Sequence, residues 1–285
     1  MLIGNCYIGE NQPLPGCKKD VEEMGIRLKD CNFSVDSKFN LNRTQMSQEF
    51  DAFLQKLTSN DTILFYFSGH GVEYKGVQYF IPVDMEDPEK EEDIKNTAFC
   101  CDLAIKNIAR KVRKGLKIII SDACRSEFKK VLSDIGFRTG NTYDSININF
   151  DPNRPNKEYE ARLGSLELGP SMDGMKSLCS RFSGEQPPPV SPHLHRLSVE
   201  SQTLKTEMKN IVRMCAVVRG EKADAGYKNN LSYYTKALVN NIARSNQSML
   251  ILNIKISEEL KFGDAKPEMA IVGPERIVET FRFKQ

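Results

Sequence analysis

The chain contains no tryptophan and only three histidines in 285 residues. It has almost no net charge, since 40 basic and 38 acidic residues leave +2. That balance offers no electrostatic footprint for nucleic acid or for an acidic membrane surface. KVRK at 111–114 reads as a solvated helix end. No apolar run approaches the length of a membrane span. The opening residues, MLIGN, have neither a basic start nor a long apolar stretch, so no signal peptide is read. Eight cysteines are present, but no two form a CxxC pair, which removes the spacing of a zinc knuckle or a thioredoxin-type motif. Scattered through a chain of this length, they read as free thiols in a reducing, cytoplasmic setting, most of them small buried apolar side chains. Of the histidines, His193 and His195 sit in a proline-rich stretch without cysteine or acid partners at metal-ligand spacing. His70 stands apart from them.

What is present alternates in type. Residues 17–31 place Val21, Met24, Ile26, Leu28 and Cys31 among charges at helical spacing. A strand is expected within 33–39. A helix over about 44–58 follows, capped by Asn42 or Thr44, with Met46, Phe50, Phe53, Leu54 and Leu57 inward. TILFYF, 62–67, is a continuous apolar run of strand formers, read as a central strand covered on both faces. VQYFIPVD, 77–84, reads as an extended segment that Pro82 confines to an edge or a strand end. A helix over 101–113, ended by Gly115, leads to a second buried strand, LKIII, 116–120. This alternation predicts an α/β fold with a mostly parallel central sheet and helices on both faces.

Residues 133–205 are rich in Asn, Pro, Ser and Gly and read as a long, partly disordered insertion. It separates a larger part, 1–132, from a smaller one, 206–285. In the latter, 211–218 reads as a strand, about 231–243 and 248–261 as helices, and RIVETFRF, 276–283, as a last strand.

Both buried strands run into reactive sequence. TILFYF ends in Ser68-Gly69-His70-Gly71, and LKIII in Ser121-Asp122-Ala123-Cys124-Arg125. Sites in open α/β sheets form outside the carboxyl ends of strands. If the two strands are parallel neighbours, a thiol and an imidazole meet as nucleophile and acid/base partner. The amides of Gly71 and Cys124 would then face a developing oxyanion. A helix starting after Cys124 would lower its thiol pKa.

These motifs carry a resemblance. LIGN at 2–5, D-V-x-x-M at 20–24, YFSGHGVEYKG at 66–76, IPVD at 81–84, IISDACR at 119–125 and IVRMCAVVRGEKA at 211–223 resemble the caspase-like cysteine peptidases, most of all a paracaspase. GCKKD at 16–20 is similar to a metacaspase pattern. His70 precedes Cys124 by about 50 residues, as in caspases. The resemblance implies a caspase-like three-layer sandwich. It implies a His70/Cys124 dyad that cleaves protein substrates through a thioester acyl-enzyme, with backbone amides of Gly71 and Cys124 holding the oxyanion. That chemistry needs no metal or other cofactor; calcium dependence, usual in metacaspases, stays open. Where the caspase signature has Gln, this chain has Asp122. Asp20 matches a second acidic S1 position. Two carboxylates there imply cleavage after Arg or Lys and rejection of Asp. A third acid in paracaspases lies in the loop after 211–218. Here Lys222 stands at that position, flanked by Glu221 and Asp224.

The resemblance further implies a homodimer through the last strand, with 276–283 as its candidate, and an upstream scaffold. It also implies an intersubunit linker in the insertion, which contains Arg138, Arg154, Arg162, Arg181 and Arg196. The N-terminal domains common in animal paracaspases have no room before the first strand, so a short form and a fragment both fit. The rival reading is a catalytically silent caspase-like interaction module that scaffolds a signalling complex.

Overall fold

The computed structural model describes residues 1–7, 13–85, 93–125, 208–223, 230–244, 247–260, 266–273 and 276–284. The insertion, with His193, His195 and the linker arginines, lies outside the described residues, as does Asp224.

Six strands form the central sheet. They are β1 (Leu2–Gly4), β2 (Ser37–Phe39), β3 (Ile63–Ser68), β7 (Lys117–Asp122), β8 (Ile211–Cys215) and β9 (Glu268–Val272), in the order β2-β1-β3-β7-β8-β9. All neighbours are parallel except β8 and β9. A second, antiparallel sheet of β4 (Gly71–Tyr74), β5 (Val77–Phe80) and β6 (Phe99–Cys100) follows directly on the turn after β3.

Every residue of β3 and β7 is buried, which accounts for their continuous apolar runs. Their side chains alternate between two cores. Leu64, Tyr66, Ile118 and Ile120 face α1 (Gly16–Asp30), α5 (Tyr233–Ile242) and α6 (Met249–Glu259). Ile63, Phe65, Phe67 and Ile119 face α2 (Arg43–Lys56) and α4 (Cys101–Lys111). A short α3 (Ile94–Thr97) precedes β6, and α7 (Arg276–Thr280) is the last helix among the described residues. Asn42 is the cap of α2, in a reciprocal capping box with Gln45.

Some expectations change. RIVETFRF is not a strand: 276–280 is helical, and the last strand is EMAIV, 268–272. Val77–Phe80 joins the small sheet, and Pro82 falls beyond its end. Ile26, at helical spacing with Val21, Met24 and Leu28, is nonetheless 49% exposed. Gly115 does not end α4, which stops at Lys111; the Val112 carbonyl beyond it accepts from the buried Lys117 ammonium at 2.6 Å.

Gly115 has another reason to be glycine. A Cβ built there would lie 1.8 Å from the Asp61 carbonyl oxygen. Gly115→Ala is therefore expected to destabilise the protein by about 2 kcal/mol or more, read as a lowered urea midpoint. An unchanged midpoint would contradict this packing.

Candidate active site

The register of β3 and β7 pairs Ser68 with Asp122. The pairing continues one step further, with the Gly69 N–H donating to the Asp122 carbonyl at 3.2 Å. His70 and Cys124 each stand two residues past that matched pair, so the parallel alignment delivers both motifs to one end of the sheet. The approach is close. A Cβ on Gly71 would lie 2.8 Å from the Cys124 carbonyl oxygen and 2.9 Å from the Ala123 methyl.

The main chain of His70 is held by a residue not anticipated from sequence. Tyr7, with an unusual φ of 51°, inserts its hydroxyl between two strands. The hydroxyl accepts from the His70 N–H at 3.1 Å and donates to the Ile81 carbonyl at 2.6 Å. Its ring lies against the imidazole, centroids 4.4 Å apart. The Ile81 N–H in turn donates to the His70 carbonyl at 3.0 Å. With 70 and 81 as a bonded pair, alternation along the antiparallel ladder turns the Gly71 N–H away from β5. Gly71→Ala is expected to lower turnover at least about 10-fold, because the new methyl would push the Cys124 turn away. Wild-type turnover in that variant would show that the approach has no part in the chemistry.

Cys124 is partly buried, its thiol 4.0 Å from the Ala223 carbonyl. Burial pushes the thiol pKa up, and the nearby Asp122 charge adds to the rise. The helix that the sequence reading starts after Cys124, and with it the expected lowering of the thiol, lies outside the described residues. The described surroundings favour the neutral form.

The turn after Cys124 is anchored by its neighbour. The buried Arg125 guanidinium donates to the Val217 carbonyl at 3.3 Å, bonds the Glu268 carboxylate of β9, and lies 3.7 Å from Glu73 of β4. Its N–H donates to the Glu221 carbonyl, and its own carbonyl accepts from the Gly220 N–H, both at 3.0 Å. Glu221 thus meets the site through its main chain; the residue itself is exposed, as is Lys222.

Asp20 and Asp122 come together. Asp20 is 2% exposed and Asp122 5%, so Asp20 is not a solvated carboxylate on a charged helix face. Ser232, the N-cap of α5, bridges them. Its N–H donates to Asp20 Oδ1 at 2.9 Å and its hydroxyl bonds Asp122 Oδ2. Ser68 donates to Asp20 Oδ2 at 2.8 Å, and Thr235 to Asp122 Oδ2 at 2.6 Å. The Tyr66 hydroxyl lies 2.6 Å from the Thr235 hydroxyl. Burial first, and then the charge of Asp122, push the Asp20 carboxyl up to about 8. At neutral pH Asp20 therefore keeps its proton, and the pair carries its negative charge on Asp122. Ser232 and Thr235 were missed because they come from the far part of the chain.

Residues 1–278 match the sequence model of the caspase domain family. The chain belongs to the caspase domain family. Human mucosa-associated lymphoid tissue lymphoma translocation protein 1 is 30% identical over 128 residues, which is 44% of this chain and 15% of that protein. Metacaspase-8 of Arabidopsis thaliana is 28% identical over 144 residues, 44% of this chain and 36% of that protein. The matches therefore span well under two thirds of either relative. Caspase-1 of Spodoptera frugiperda superposes with a TM-score of 0.54 at 12% identity, covering 100% of this chain and 88% of that one. Protein GSU0716 of Geobacter sulfurreducens gives 0.58 at 12%, covering 99% and 97%. At such identities the structures bear on fold alone, and they agree with the caspase-like α/β sheet described above. The caspase-like resemblance drawn from FSGHG and DACR holds at the level of the family.

Proposed function

We propose that this caspase domain is a cysteine endopeptidase that cleaves proteins after a basic residue, arginine above lysine. One observation carries the reading: the register-matched ends of β3 and β7 deliver His70 and Cys124 to the same edge at which Asp20 and Asp122 meet.

The substrate's P1 guanidinium exchanges with the Ser232 donors and takes the two acids with its planar fork. The Cys124 sulfur then attacks the scissile carbonyl as its proton passes to His70. The amides of Gly71 and Cys124 hold the oxyanion. The tetrahedral adduct collapses to a thioester while His70 gives its proton to the departing amine. Water, activated by His70, frees the acid product and restores the thiol. None of these steps calls on a metal. Among the described residues no three His, Cys, Asp or Glu side chains are grouped to hold one.

We place the protein in the cytoplasm. Seven described cysteines are free, which supports a reducing compartment, and no described helix is long and apolar enough to cross a membrane. We also propose a homodimer; because 276–280 is helical, its contact is proposed at the outer edge of β9 in place of that segment.

Fluorogenic peptides with Arg, Lys or Asp at P1 test the reading. Turnover of Arg above Lys, with none of Asp, is expected. Turnover of Asp alone would overturn the S1 assignment, and no turnover of any peptide would favour the silent scaffold.

A further inference from the structure

Glu73 and Gln78 sit directly opposite each other in the β4–β5 hairpin, so their side chains leave the same face. Both are turned toward the central sheet and both meet arginines. Glu73 lies 3.7 Å from Arg125 and 3.6 Å from Arg219. Gln78, 1% exposed, sends its Nε2 to the Ser121 hydroxyl at 3.0 Å, and its Oε1 accepts from Arg213 Nη2 at 2.5 Å. Arg213 comes from the middle of β8, is 4% exposed, and pairs through Nη1 with the buried Asp102 of α4 at 3.1 Å.

A charged residue at the centre of an otherwise apolar buried strand is costly unless it is fully engaged. Asp102 balances the charge. The second donor arm goes to the hairpin. The Gln78 amide is thereby held at both ends, by β8 through Arg213 and by β7 through Ser121, three residues before Cys124.

The small sheet starts immediately after His70, and its first residue is Gly71. Whatever fixes the hairpin therefore fixes the His70 main chain and the Gly71 amide. The S1 acids lie on the opposite face of the sheet. Asp122 projects with Ile118 and Ile120, whereas Ser121 projects with Ile119 and Ala123.

We propose that Arg213 and Gln78 are positioning residues of the peptidase centre: they clamp the β4–β5 hairpin so that the Gly71 amide stays in place beside Cys124. This rests on the peptidase reading above. The clamp acts on the reacting geometry and not on the P1 pocket, so its loss appears in kcat and not in KM.

Three variants of the full chain test it. Gln78→Met keeps volume and the Arg213–Asp102 pair but removes the link. Arg213→Lys keeps the charge against Asp102 but has no second arm for Gln78. Gln78→Glu still accepts from Arg213 and from the Ser121 hydroxyl. With an Arg-P1 peptide, Q78M and R213K are expected to lose about 10- to 100-fold in kcat with KM within about twofold. Q78E is expected to stay within about threefold of wild type. Hydrogen exchange is read alongside: amides of 71–80 should exchange about tenfold faster in Q78M, while those of β3 and α1 stay as in wild type. Wild-type kcat in Q78M, a loss confined to KM, or unchanged hairpin exchange would each overturn the proposal. If wild type itself turns over no peptide, the peptidase reading fails. The exchange result then decides the clamp alone: faster hairpin exchange supports it and unchanged exchange overturns it.

Discussion

Replacing Cys124 by alanine is expected to lower Arg-P1 hydrolysis by about 10⁴-fold or more. The substitution removes the only atom in the proposal that bonds covalently to substrate, and among the described residues the thiol's hydrogen-bond contact is a long one, to the Ala223 carbonyl at 4.0 Å. The same loss is expected for His70→Ala. Because the two act as a unit, the double variant should fall no further than either single one. Additive losses would mean that they serve separate steps. The neutral thiol adds a second feature. Part of what holds Cys124 protonated is the charge of Asp122. A cationic P1 side chain that neutralises Asp122 eases ionisation of the nucleophile. Alkylation of Cys124 by a small electrophile should thus run faster with a saturating arginine-like amine present, and no acceleration would separate the pocket from the nucleophile.

Asp20→Asn is expected to cost about 100-fold in kcat/KM for an Arg-P1 peptide while making the protein more stable at alkaline pH. The sign follows from proton binding. Asp20 titrates at about 8 in the fold against roughly 4 in an unfolded chain. Between those values the folded state holds a proton that the unfolded state has lost, so stability falls as pH rises from about 4 toward 8. Asparagine never ionises, and its amide still meets Ser68 and the Ser232 N–H. The variant's Tm should therefore decline less than the wild type's from pH 5 to pH 8. The same carboxyl must give up its proton to hold a guanidinium, so the wild-type KM for Arg-P1 peptides should fall as pH rises toward 8. A pH-independent KM, or equal Tm declines in both proteins, would remove Asp20 from the pocket.

Much of this arrangement could be read from the chain. TILFYF and LKIII announce central strands because burial on both faces leaves few polar positions, Thr62 and Lys117, to confuse the pattern. Their shared polar endings point to one site. The last strand was misread for the converse reason. EMAIV is an edge strand with four of five residues only partly buried and an apolar run of only four residues, Met269 to Val272, whereas Ile277 and Phe281, at helical spacing, pass equally well for loose alternation. The pairing of Asp20 with Asp122 followed from family resemblance. Ser232 did not, because a capping serine looks alike whether its partner is its own helix or two acids from distant strands.

The most direct test labels the nucleophile by substrate-like selection. A peptidyl-Arg acyloxymethyl ketone and its Asp counterpart, each losing a carboxylate as a thioether forms, are incubated with the protein, and the adduct is mapped by mass spectrometry. One adduct is expected, on Cys124, formed far faster with the Arg reagent and slowed in Asp20→Asn. Labelling on another cysteine, or faster reaction with the Asp reagent, would contradict it.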